Sequence, residues 1–521
     1  MKTVHVLPFA LLLTGCVVGP KYVAPTVPAP PAFKESLPPA YNGALPGAWQ
    51  PASPQDAAIK GKWWEIFNEP ELNALEEQVN IDNQNITQYF ENFMAARAIV
   101  SEARAGLFPT LTANGTASRG GAVIINNSKS STTTSGTSGT SGNSGNSSGS
   151  SSSTTSVSTS SGGISLPFDV SWEPDLWGRV RNTIRQAQYS AQVSAADLEN
   201  ERLTEQADLA EYFFEVRGED ALQDVYNRIV RAERTQLEIT HALVETGIDA
   251  PTAIPQAEIT LEEAEEAAAG IAGVRATYEH AIATLIGKPA SGFSLPVKAL
   301  ATPLPAIPVG VPSELLQRRP DIAAAERVMA AANATIGIEQ AAYYPSLSLT
   351  GSAGIEQTGL KALFTMPALF WSVGAAAAQT LFDAGLRNAT MRQYEATYNA
   401  DVAGYKQTIL TAFQQVEDYI AELRVTSQQL NRQEAALSSA QTYVTLETGR
   451  YETGLDPYPN LITARLTLLS SEEARVTLRM NELTEAVELI QSLGGGWNVS
   501  QLPSPESIRG TGVVQQVKDG P

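Results

Sequence analysis

Few side chains in this sequence are equipped for chemistry. Its 521 residues include one cysteine, Cys16, and three histidines, His5, His241 and His280. None of these lies at a metal-ligand spacing, so no metal and no other cofactor is expected. No nucleophile elbow stands between a strand and a helix, and no histidine is placed to serve a triad. Hydrolysis is therefore not expected, although a carboxylate-only site stays open. Carboxylates are abundant: 55 Asp and Glu against 35 Lys and Arg, a net charge of −20. That balance excludes a nucleic-acid partner, which requires a basic face. What remains is modification of one thiol and the electrostatics of clustered acids.

The thiol closes a short leader. "MKTVHVLPFALLLTGC" carries Lys2, an apolar run to Leu13, and then Leu13-Thr14-Gly15-Cys16. Residues 1–15 read as a signal peptide too short to span a bilayer. The four closing residues resemble the bacterial lipobox, in which the cysteine thiol receives a diacylglyceryl group and palmitate-type acyl chains follow. Each buried methylene contributes about 0.8 kcal/mol, so several chains anchor firmly. Val17 follows, not the Asp that retains enteric lipoproteins at the inner membrane, which favours the outer membrane. Residues 16–60 then form a lipid-anchored, Pro-rich segment expected to be extended.

The elements that must carry this chemistry repeat. Glu245-Thr246-Gly247-Ile248-Asp249 matches Glu452-Thr453-Gly454-Leu455-Asp456, and Gly247 and Gly454 are 207 apart. Asn182 matches Asn388 at an offset of 206, whereas Pro109 matches Pro345 at 236. The first copy therefore holds about 30 extra residues between Pro109 and Asn182. The Ser/Thr/Gly tract 127–163 lies there, so it is an insertion inside a repeated unit and not a linker. Repeat 1 is assigned to 61–290, a linker to 291–312, repeat 2 to 313–497 and a flexible tail to 498–521.

Four segments have strand period. Leu111, Ala113, Gly115 and Ala117 alternate with polar residues, as do Ile164, Leu166, Phe168, Val170 and Trp172. Leu347, Leu349, Gly351, Ala353 and Ile355 do the same, and Trp371 to Leu381 more weakly. Such alternation fits transmembrane strands between lipid and water. Four strands cannot close a barrel, and open edges in lipid leave unpaired amides, so several chains must pool strands. The rest reads as long helix. Ile409, Val416, Leu423, Leu430, Leu437, Val444 and Tyr451 recur every seventh residue, which is coiled-coil packing. Each copy is expected to fold as a helical hairpin, turning near Gly218 and near Arg424.

In sequence order, further motifs carry a family likeness. They are Gly19-Pro20-Lys21-Tyr22, Trp63-Trp64-Glu65-Ile66-Phe67, Asp175-Leu176-Trp177-Gly178-Arg179 and Arg318-Arg319-Pro320-Asp321-Ile322. Ala331-Ala332-Asn333-Ala334, Leu381-Phe382-Asp383-Ala384-Gly385, Arg450-Tyr451-Glu452-Thr453-Gly454 and Leu493-Gly494-Gly495-Gly496-Trp497 complete them. Together, from Cys16 to Trp497, the chain resembles the outer-membrane efflux lipoproteins, TolC-like exit ducts of resistance-nodulation-division pumps. The insertion, Asn68-Glu69-Pro70, Pro459 and Arg465 depart from the family pattern.

The resemblance implies an α+β membrane protein. Three protomers each give four strands to a twelve-stranded outer-membrane β-barrel, continuous with a long periplasmic α-helical barrel. It implies a passive duct, not an enzyme, with a periplasmic membrane-fusion adaptor and a proton-driven inner-membrane transporter as partners. Arg318, Arg319, Asp321, Trp63 and Trp64 are read as structural. Gating is expected at the helical tips. By resemblance Asp418 is the acidic constriction residue, with Glu417 and Glu422 beside it and Glu211 and Asp220 as repeat counterparts. Three copies of such a ring crowd like charges and favour cations. The insertion is expected at the extracellular mouth. The competing reading is a surface lipoprotein scaffold or adhesin with a helical stalk, which an ion-conducting trimer would rule out.

Overall fold

A computed structural model describes residues 17–26, 28–37, 61–125, 156–307, 309, 312–357 and 369–508. Cys16, the leader and most of the insertion lie outside the described residues. Contacts divide the chain into two compact units. One holds 104–180 and 340–387, and the other 18–103, 181–339 and 388 onward.

The first unit is an antiparallel sheet. Its strands are β1 (Thr110–Ala113), β2 (Thr116–Ile125), β3 (Ser156–Trp172), β4 (Ser346–Gln357) and β5 (Leu369–Ala378). β1 and β2 both pair with β3 in one unbroken register, Thr110 opposite Ser171 and Ile125 opposite Ser156. They act as a single edge strand paused at Asn114-Gly115. β4 follows β3 and β5 follows β4, so β5 is the other edge. The structure corrects the sequence reading at the end of the insertion: backbone 156–163 is strand, paired with 118–125.

The second unit is helical. It contains α1 (Pro70–Asp82), α2 (Gln84–Ala105), α4 (Ala253–Leu285), α5 (Pro312–Arg318), α6 (Pro320–Ala341) and α8 (Tyr458–Ser492). It also contains nearly all of two 67-residue helices, α3 (Arg179–Glu245) and α7 (Leu386–Glu452). At 1.5 Å per residue each of these runs about 100 Å. No described helix is long and apolar enough to cross a membrane. The main core gathers Trp63, Trp64, Phe67, Phe213, Phe214, Val416, Ile420, Leu423 and Leu483. Of the heptad row, Ile409, Val416 and Leu423 are buried, whereas Leu430, Leu437 and Val444 are half-buried and Tyr451 is exposed.

The expected hairpin turns are not where the sequence placed them. α3 passes straight through Gly218 and α7 through Arg424. Gly218 is there for packing: a Cβ on it would lie 2.3 Å from Met480 Sδ. The chain turns instead after Glu245 and after Glu452, by the same device each time. Gly247 takes φ +72° and Gly454 +73°. The Gly247 N–H donates to Val244 O and Ile248 N–H to Leu243 O. Gly454 N–H likewise donates to Tyr451 O and Leu455 N–H to Arg450 O. This is the Schellman cap, which needs a left-handed residue after the helix and so favours glycine.

The tail is also not wholly loose. Ile508 is buried against Val100, Ala187 and Ala191, and the Gln192 and Gln188 amides donate to Pro503 O and Pro505 O. Trp63, Trp64, Arg319 and Asp321 are structural as expected. The two tryptophans are buried, and Arg319 grips Asp321 at 3.0 and 2.7 Å and donates to Ser492 O.

Gly218→Val should overpack the α3–α8 contact and cost about 1–3 kcal/mol. Melting of the detergent-solubilised protein reads this, and Met480→Ala in the same chain should recover part of the loss. An unchanged melting temperature would remove the packing role.

Candidate functional site

The sheet has two different faces, and its register sorts them. On one face Leu111 sits opposite Val170, Ala113 opposite Phe168, Leu166 opposite Ile355 and Trp172 opposite Leu349. Ala353 meets Trp371 and Ile355 meets Leu369 on that same face. On the other, Thr112 meets Asp169, Asp169 meets Ser352, Ser171 meets Thr350 and Ser352 meets Ser372. The apolar face is not covered within the chain: Trp371 is 79% exposed and Val373 81%. Neither edge is paired, because β5 and the β1–β2 strand have no partner on their outer sides among the described residues. An apolar face open to its surroundings, backed by a polar face, is what a membrane-spanning sheet between lipid and a water-filled lumen requires.

The five acidic candidates lie along α3 and α7, away from the turns. Asp418 is exposed and accepts from the Gln414 amide one helical turn back. Glu422 is exposed one turn further on. Glu417 instead receives two backbone N–H groups of the N-terminal segment, Lys34 at 2.7 Å and Glu35 at 2.8 Å. Arg424 adds an ion pair to Glu35 at 2.7 Å. Asp220 is buried between cations: Arg275 Nε reaches it at 2.6 Å, Arg217 Nη1 at 3.1 Å, and Lys298 N–H donates at 3.0 Å. Arg217 also grips Glu71, and Arg275 donates to Leu295 O. This network fastens the inter-repeat linker to α1, α3 and α4. Two of the five candidates thus hold other segments in place.

Glu211 belongs to a different group. Burial, then Glu488, Asp208 and Glu215, push its carboxyl up from the ordinary 4.5 to about 8. Burial likewise raises Glu215 and Glu485 to about 7, the latter with Glu422, Glu488 and Glu482 adding to it. Glu488 is raised too. The sequence reading missed the α8 members. Their signal was available in the spacing of Glu482, Glu485 and Glu488, which recur every third residue along one flank of the helix. No group of described residues is arranged to hold a metal ion.

The family model described as outer membrane efflux protein matches residues 77–288 and 311–495. The chain belongs to the outer membrane efflux protein family. It is similar to the antibiotic efflux pump outer membrane protein ArpC of Pseudomonas putida, 29% identical over 491 residues, 94% of each chain. The pyoverdine export outer membrane protein OpmQ of Pseudomonas aeruginosa is 30% identical over 451 residues, 86% of this chain and 90% of that one. The CmeC outer membrane channel of Campylobacter jejuni shares the fold, with a TM-score of 0.79 at 19% identity. That match covers 96% of this chain and 100% of that one. As a family member, the protein is an outer-membrane efflux channel component, and its helical unit is periplasmic.

The raised carboxyls give a signed pH dependence. A carboxyl that keeps its proton in the fold but loses it when unfolded makes stability fall as pH rises between its two pKa values. For Glu211 that window runs from 4.5 to about 8. Melting temperature should therefore drop from about pH 5 to about pH 8, and Glu211→Gln should flatten the drop. Equal slopes in both proteins would contradict the assignment.

Proposed function

We propose that the protein is the passive exit duct of a tripartite efflux system and works as a homotrimer. Each copy contributes its β1–β2, β3, β4 and β5 strands to a twelve-stranded barrel. The observation that carries this reading is the two-faced sheet with unpaired edges. In lipid each unpaired amide costs several kcal/mol, so the edges must meet edges of other copies. The chain performs no catalysis in this reading. A periplasmic membrane-fusion adaptor and a proton-driven inner-membrane transporter supply coupling and energy. Ile248 and Leu455, exposed at the two Schellman turns, offer apolar surface for the adaptor. ArpC is named for antibiotics and OpmQ for pyoverdine. This spread fits a duct whose cargo is chosen elsewhere in the assembly, with drugs or other small molecules as the class.

Cys16 carries the lipid anchor in the outer membrane, and the Ser/Thr/Gly insertion emerges at the extracellular mouth. The gate role is assigned among Asp418, Glu417, Glu422, Glu211 and Asp220. Asp418 and Glu422 are the members free to line a lumen. Threefold rings of these acids would concentrate cations in the duct. The twofold recurrence of helix, strand pair and long helix pair supports two internal repeats around that duct.

Reconstitution in planar bilayers tests this. The purified protein should conduct with cation preference, and Asp418→Asn with Glu422→Gln should reduce the preference without abolishing conductance. Absence of any conductance from folded, inserted protein would contradict the duct. An unchanged preference would remove the acidic ring.

A further inference from the structure

In the helical unit, α3, α6, α7 and α8 border a recess of about 220 Å³. Asn200 and Thr204 enter it from α3, Gln415 and Tyr419 from α7, and Gln491 from the end of α8. The α3 pair and the α7 pair are each spaced by four residues, so the members of a pair share one helix face. The start of α6 closes the recess with Arg319, Pro320 and Asp321. The side chains entering from α3, α7 and α8 are half-buried.

The polar groups of this recess are uncommitted. Among the described residues the side chains of Asn200, Thr204, Gln415 and Gln491 have no hydrogen-bond partner, and their polar atoms are not sealed into the core. Amides elsewhere on the same helices hold other segments. Gln206 accepts from Trp63 Nε1 and donates to Asn80, Gln192 donates to Pro503 O, and Gln433 donates to Ser471 O. At the α6 end the Arg319–Asp321 pair adds a charged donor and a charged acceptor. Burial, then Glu488, Glu422, Glu211 and Asp418, raises the Tyr419 hydroxyl above its ordinary 10, so it stays a donor.

We propose that this recess binds one pyranose ring of a neutral sugar. Side-chain amides donate and accept at once, as adjacent ring hydroxyls do, so amides converging from three helices complement a polyol. The Tyr419 ring supplies a flat apolar wall for the C–H face of the sugar. Size agrees, because about 220 Å³ lies below the roughly 300–1,000 Å³ of sites for drug-sized ligands. An apolar occupant is disfavoured, since the aliphatic lining among the described residues is confined to Leu203 and Pro320. An anionic one is repelled by the carboxylates gathered near Tyr419. The ring belongs to a free sugar or to a glycan chain, which share this chemistry. The site lies wholly in the helical unit and stands whether or not copies share a sheet.

Saturation-transfer NMR tests the site in the full-length protein, held in a detergent without a sugar headgroup. The probes are glucose, galactose, N-acetylglucosamine and its trimer chitotriose, and at least one should receive saturation. Asn200→Ala with Gln415→Ala should weaken that binding about tenfold or more, as the loss of hydrogen bonds to the ring requires. The melting temperature of this double variant should match the parent, because the two side chains hold no other segment. Tyr419→Leu, which removes the flat wall, is a second variant with the same expected loss. Gln441→Ala, at an exposed position of α7 outside the recess, should leave binding unchanged. Tighter binding of chitotriose than of N-acetylglucosamine assigns the ring to a glycan chain, and equal or weaker binding assigns it to a free sugar. Saturation of no probe, or saturation that the recess variants leave undiminished, overturns the proposal.

Discussion

The structure depends on the pairing register of one small sheet. Because side chains alternate with period two, a slip of one residue would send Leu166, Phe168 and Val170 to the face of Asp169 and Ser171. The observed register keeps every strand in phase, from Leu111 through Val170 and Gly351 to Val373. A carboxylate such as Asp169 in lipid is expensive, and so is an unpaired strand edge. Together these two costs support the proposed surroundings of the sheet, with its apolar face toward lipid, its polar face toward water and its edges toward other copies.

The helices solve a different problem, which is length without interruption. A 67-residue helix is stable only where tertiary packing supports it. Gly218 keeps α3 close to Met480, and the Arg217–Asp220–Arg275 network ties the linker to the helices beside it. Asp220 has a buried side chain but is paired on several sides, which is the condition under which a buried charge persists. Among the described residues no such cations stand beside Glu211, Glu215 and Glu485, and burial raises their carboxyls above the ordinary range instead. Acids of similar sequence context therefore play opposite electrostatic parts.

Much of the fold was legible because the two periods, two in the strands and seven in α7, are long and clean. Leu347 to Ile355 and Ile164 to Trp172 announced their strands by strict alternation. The turns were not legible in the sequence, where Gly218 suits a helix break. A lone glycine cannot distinguish a turn from a close helix contact, and only the neighbour, Met480, decides. The true turns carry the matched Glu-Thr-Gly signature that marks the repeat, and its glycine is the left-handed cap residue of both long helices. The strand 156–163 was hidden by composition: Ser, Thr and Gly can still pair when a partner strand supplies the register. The acidic candidates shared a chemistry visible in sequence. Their roles depend on partners far away in the chain, Lys34 and Glu35 for Glu417 and Arg275 for Asp220.

The central claim is that one sheet separates lipid from water. Nitroxide labels at Val373 and at its neighbour Ser372, read by spin resonance in reconstituted membranes, test it most directly. The account predicts that the label at Val373 is relaxed by lipid-soluble oxygen and that at Ser372 by a water-soluble nickel chelate. Equal access of the chelate to both positions would contradict it.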